Sequence, residues 1–169
     1  QIDINYPSDI VGTYFAAHDD QLIGRSSLYG SDFSATSARA WDVGFWNATT
    51  GAMNTELTVN PGADFTGFNY GGYNAMNVMN DGDDVYALSR YSNSGTWQLA
   101  ELDSATNSVI GTENINLGTV GFAFVVEDFL FIGSTYSSGV VSRAYDIEND
   151  VMHNVNLQFG VPGNIYWSN

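Results

Sequence analysis

The segment DDVYALSRYSNSG at residues 83–95 returns 44 positions later as EDFLFIGSTYSSG at 127–139, with apolar positions and turn residues in matching order. A second correspondence runs through SARAWDV at 37–43, QLAELDS at 98–104 and VSRAYDI at 141–147. It aligns Asp42, Asp103 and Asp146 at separations of 61 and then 43 residues. Self-similarity at a period of roughly 40–50 residues marks a repeated supersecondary unit. Within each unit, DVYALSRY, WQLAEL, FAFVV, DFLFIGSTY and GVVSRAYDI are rich in Val, Phe, Tyr and Ile and follow a period of two, as strands do. Gly, Asn, Asp and Ser cluster between them, about every 8–12 residues. The nearest approach to a helix is SDFSATSARA at 31–40, whose Ser and Thr favour a loop by competing for backbone hydrogen bonds.

Each unit therefore reads as strand, tight turn, strand, Ser-Gly loop, strand, Asp turn, strand. Four-stranded units in tandem predict an all-β, propeller-like array of antiparallel blades. About three blades are present, over residues 13–60, 72–117 and 119–160 of a single domain spanning 1–169. Asp42, Asp103 and Asp146 are expected as structural turn residues that accept nearby backbone N–H groups. An array this short leaves its ring incomplete, or completed by another chain.

Charge narrows the partners. Four arginines and no lysine stand against 19 acidic residues, a formal net charge of −15. Such a field repels phosphate backbones and anionic lipid, so nucleic acid and membrane surfaces are not expected partners. The chain has no cysteine, which excludes thiol catalysis and thiolate metal sites. Its longest apolar stretch, VGFAFVV at 120–126, is cut off by Glu127-Asp128 and is too short for membrane insertion as a helix. No signal peptide is visible and the chain begins at Gln1, which implies a processed or partial chain.

The densest acidic stretch is Asn80-Asp81-Gly82-Asp83, between NAMNVM and DVYAL. An EF-hand loop needs glycine at its sixth position and glutamate at its twelfth. Counted from Asp81, those positions are Tyr86 and Ser92, so the pattern is that of a hairpin tip, with Asp-Gly supplying positive φ. Catalytic constellations are missing too. There is no GxSxG elbow, P-loop, HExxH or dinucleotide fingerprint, and the acids fall in turn tips instead of flanking a cleft. His18 precedes Asp19-Asp20 in a loop setting, and His153 falls on a polar strand position. An enzyme is not expected. Trp41, Trp46, Trp97 and Trp167 invite a sugar-stacking role, but Trp41 matches Tyr145 in the repeat, which predicts packing between blades. Asn47-Ala48-Thr49 is a glycosylation acceptor motif on a predicted turn, usable on a secretory route.

Four ordered pieces resemble the olfactomedin domain, an extracellular five-bladed β-propeller. They are GRSSLYG at 24–30, the Gly71-Gly72-Tyr73 step, AFVVEDFLF at 123–131 and SRAYDIENDVMHNVNLQF at 142–159. The resemblance implies a secreted or extracellular domain for protein interaction and adhesion, with protein or glycan partners. It also implies a channel calcium whose aspartate falls on Asn77, and whose Asn-Ala pair falls on Phe122-Ala123. The final Ile-Asp falls within Ile165–Ser168, which has no carboxylate, and one family cysteine falls on Glu127. With those ligands replaced, no cofactor is expected, and Asn77 is the one candidate metal position. Loop residues Asp64, Phe65, Phe68, Tyr70, Tyr73 and Tyr91 are the candidate contact surface, since loops carry recognition. The alternative is a structural subunit of an extracellular filament or surface assembly, a homo-oligomer formed by strand pairing of open edges.

Overall fold

The structure is a computed structural model and describes residues 10–26, 42–59, 76–90, 95–135 and 139–158. These residues form twelve strands and no helix. The first sheet holds β1 (Ile10–His18), β2 (Gln21–Ser26), β3 (Asp42–Asn47) and β4 (Met53–Thr58), in that order. The second holds β5 (Met76–Asp81), β6 (Asp84–Arg90), β7 (Thr96–Asp103) and β8 (Ser108–Asn116). The third holds β9 (Phe122–Val126), β10 (Phe129–Gly133), β11 (Val140–Asp146) and β12 (Val151–Gln158). Every neighbouring pair is antiparallel, each sheet follows chain order, and no sheet closes on itself.

The sheets pack face to face in succession, and the alternation of side chains decides how. One apolar cluster joins Ala16, Ile23, Val43 and Phe45 of the first sheet to Val78, Val85, Ala87, Ala100 and Leu102 of the second. The other joins Met79, Tyr86, Leu88, Trp97 and Leu99 of the second to Ala123, Val125, Leu130, Ile132 and Tyr145 of the third. Along β6, odd and even residues thus enter different cores. A strand covered on both faces must be apolar throughout, which is why VYAL is uninterrupted. The strands β5, β1 and β9 make the close approaches between sheets, with β5 also meeting β2.

Burial falls away toward the fourth strand of each sheet. Residues 76–79 of β5 are all buried, whereas β12 is exposed at all but one position. Each fourth strand also carries an extra residue relative to the third. Phe45 pairs Thr55 but Trp46 pairs Met53, Glu101 pairs Gly111 but Leu102 pairs Val109, and Arg143 pairs Asn154 but Val141 pairs Leu157. A bulge of this kind twists an edge and disfavours regular pairing with a further strand. Nothing in the sequence repeat announces these three bulges.

Two glycines are required by packing. A Cβ on Gly44 would lie 2.3 Å from the Trp46 ring, and one on Gly133 would lie 2.1 Å from the Phe122 ring. In both cases an aromatic side chain lies across bare backbone. Gly44→Ala and Gly133→Ala are each expected to lower stability by about 1–3 kcal/mol, measured by urea unfolding of the purified chain.

Candidate functional site

A four-stranded meander places its first and third turns at one end. In the first sheet the Ala48 N–H donates to the Asp20 carbonyl at 2.7 Å, and in the third the Ile147 N–H donates to the Asp128 carbonyl at 2.9 Å. Cross-sheet contacts keep the three ends level. Gln21 Nε2 donates to the Ser104 carbonyl at 3.0 Å, Asn80 Nδ2 to the Ala17 carbonyl at 3.5 Å, and the Glu127 N–H to the Asp81 carboxylate. Six turns therefore form one rim. It holds Asp19 and Asp20, then Asp81, Asp83 and Asp84 with Asp103, then Glu127 and Asp128 with Asp146, Glu148 and Asp150. That is eleven of the chain's 19 acidic residues. Arg90 ends β6 at the opposite side, and the Arg143 guanidinium donates to the Leu117 and Thr119 carbonyls of the link between the second and third sheets. Burial lowers the Arg143 pKa.

The field of this rim reaches inward. Tyr86 has its pKa pushed up to about 12, by burial first and then by Asp84, Glu101, Asp128 and Asp81. The turns themselves are set by backbone geometry. Asp19, Glu127 and Asp128 have positive φ of 50°, 49° and 63°, and Gly82 has 58°. Asp81 pairs Asp84 across the two-residue turn Gly82-Asp83, so the densest acidic stretch is a hairpin tip.

Two of the three aligned aspartates close turns. Asp103 Oδ1 accepts the N–H groups of Ala105 and Thr106 at 2.8 and 3.1 Å, and Oδ2 accepts the Thr106 hydroxyl at 2.6 Å. Asp146 Oδ1 accepts the Asn149 N–H at 2.9 Å. The expectation for Asp42 is corrected. Asp42 opens β3 instead of ending it, is buried, and accepts the Thr58 hydroxyl of β4 at 2.7 Å. Its place is taken by Asn47, which ends β3 and whose Oδ1 accepts the N–H groups of Thr49 and Thr50 at 3.0 and 2.8 Å. The physical reason is that an Asx turn needs its acceptor at the last ladder residue, where the chain leaves the strand, and Asp42 is the first. The sequence held a usable signal, since NATT at 47–50 and DSAT at 103–106 both place Thr three residues after the acceptor.

Asn77 is fully buried on β5 and faces the third sheet, where its Nδ2 donates to the Ala123 carbonyl at 2.7 Å while Oδ1 has no partner. The carbonyl is an acceptor only, so chemistry dictates which end of the amide faces it. Trp46 and Trp97 are fully buried, which removes them from sugar stacking. His18 is partly buried with Nε2 3.4 Å from Asp19, and His153 is exposed with its ring centroid 6.2 Å from that of Phe129. Asp64, Phe65, Phe68, Tyr70, Tyr73 and Tyr91, with Trp41 and Trp167, lie outside the described residues. Among the described residues, no three Asp, Glu or His side chains gather as a metal site, and no helix is long and apolar enough to cross a membrane.

With this geometry in hand, comparison of the chain with protein-family models finds no match, and comparison with curated proteins finds none either.

The hydrogen bonds to Asp103, from the Thr106 hydroxyl first and then the backbone, hold its carboxyl below the ordinary range. A lowered folded value contributes stability above the unfolded pKa of about 3.9 and loses it as pH falls through the folded value. Thermal melts across that acid range are expected to show this loss in the wild type and not in Asp103→Ala, which is less stable near neutrality.

Proposed function

We propose that this chain is a non-enzymatic, secreted interaction domain of olfactomedin-like type, with its sheets arranged as a propeller-like array. The observation that carries the reading is the rim of six turns, tied by cross-sheet hydrogen bonds and bearing most of the chain's acids. Such a surface suits recognition of a cationic extracellular protein, because clustered like charge steers an oppositely charged partner and fixes its orientation. The rim acids support binding over hydrolysis, since Asp103 and Asp146 are committed to their own turns and Asp81 caps a neighbouring one. The like stacking of one sheet on the next supports the propeller-like arrangement, in which each blade covers its neighbour's face.

The resemblance also implies a calcium ion against Asn77 and Ala123. A cation there needs oxygen turned toward it from both groups, ideally with carboxylates. Asn77 directs its amide Nδ2 at the carbonyl instead, so the residues present do not fit the ion. Calcium titration of the purified chain by calorimetry is expected to give no tight one-to-one binding. Micromolar or better binding would overturn that expectation.

Binding of the chain to a panel of basic cell-surface ectodomains and glycans tests the main reading. Saturable binding that weakens with salt, and that is lost in Asp83→Asn/Asp84→Asn/Asp128→Asn, supports it. Turnover on a glycoside panel, abolished by replacing a single acid, overturns it. A second reading, a filament subunit joined by strand edges, draws on the exposure of β12. The bulged fourth strands weigh against it, and negative stain of purified protein separates the two.

A further inference from the structure

The joint between the second and third sheets contains a proton-counting problem that neither recognition nor packing explains. Tyr145 on β11 is 2% exposed, and its phenolic oxygen meets two carboxylates. One is Glu113 on β8, and the other is Asp150, 2.8 Å away in the turn between β11 and β12. A phenol has one proton to donate, and an ionised carboxylate can only accept. Two ionised carboxylates therefore cannot both be hydrogen-bonded to Tyr145. If one carboxyl carries a proton, it donates to the phenolic oxygen while the phenol donates to the other. Both contacts are then bonds, and a continuous chain links β8 to the β11–β12 turn across the sheet joint.

We infer that Glu113, Tyr145 and Asp150 form a proton-dependent latch, closed when the three side chains share one added proton and half-open when both carboxyls are ionised. Tyr145 is buried, Glu113 half-buried and Asp150 exposed in its turn, and the residues paired with them bring no further charge. Opposite Tyr145 stand Leu130 of β10 and Met152 of β12, and opposite Glu113 stands Leu99 of β7, all uncharged. Arg143, on the same face of β11, is turned to the Leu117 and Thr119 carbonyls. Asp146 is bonded by Asn149, Glu101 pairs Tyr86 in the second sheet, and Glu148 is exposed in the turn. The phenol cannot relieve the conflict by ionising, because burial, then the two carboxylates, raise its pKa far above the normal range.

The sign follows from linkage. The closed latch binds a proton that the unfolded chain releases at the same pH, so it adds stability as pH falls. Other carboxylates in the molecule, Asp103 among them, act the opposite way, so the latch is read as a difference between variants. Urea unfolding of the full chain from about pH 4 to pH 8 is compared for wild type, Tyr145→Phe and Glu113→Gln. The unfolding constant of wild type relative to Tyr145→Phe is expected to fall on acidification, approaching about ten-fold per pH unit where one proton is taken up. In Glu113→Gln the amide supplies the missing donor, so the corresponding advantage over Glu113→Gln/Tyr145→Phe is expected to be flat with pH. A wild-type ratio that does not change with pH overturns the latch, as does an equal slope in the Gln background. If Tyr145→Phe fails to fold, carbon-13 titration of the wild-type side-chain carboxyls decides the matter. A proton held by Glu113 or Asp150 above the exposed carboxylates supports the latch, and ordinary titration of both overturns it.

Discussion

The second sheet is apolar on both faces, and the architecture of the chain depends on that. A sheet with one apolar face needs one neighbour, whereas a sheet with two must lie between neighbours. Val85 and Ala87 enter one core while Tyr86 and Leu88 enter the other, so β6 cannot shift by one residue without exchanging its two sets of side chains. The flanking sheets are held in sequence order around it, and Asn77 adds a polar tie to the third sheet at the Ala123 carbonyl. An unpartnered buried Oδ1 on that residue is a local cost of about 1–3 kcal/mol, accepted in exchange for a single defined alignment of β5 with β9.

Around this stack, local hydrogen bonds determine where the charges stand. Asn47, Asp103 and Asp146 hold the third turn of their sheets, each accepting through Oδ1 the N–H group three residues on. Two-residue turns with positive φ close the first hairpin in each sheet. The acids are present because such turns favour them, and they reach one rim because a four-stranded meander turns twice at the same end. Repulsion among so many carboxylates is the cost of this arrangement. It is screened over about 8 Å at physiological salt, and the cores on either side of the second sheet outweigh it.

The same crowding of acids places carboxylates in two different settings. On the rim, Asp19, Asp83 and Asp84 stand exposed to solvent. In the joint between the second and third sheets, half-buried Glu113 and the exposed rim residue Asp150 both meet the buried Tyr145 phenol, which is the geometry behind the proposed latch. The edges behave conservatively by comparison. Bulges in β4, β8 and β12 blunt the strands that a filament would use.

Strand content, the four-strand unit and the hairpin at Gly82-Asp83 were legible in the residues, because period-two alternation and Asp-Gly chemistry act over a few positions. So was the turn role of Asp103 and Asp146. The assignment of Asp42 went astray because RAWDV and RAYDI are alike as strings, while the turn depends on an acceptor at the last ladder residue, which is Asn47. Tertiary structure alone decided which face of each strand meets which sheet, that six turns share one rim, and that Glu113 reaches Tyr145 from 32 residues away. Those outcomes depend on sheets meeting across space, and a local pattern carries no information about the distance between segments that pack only after folding.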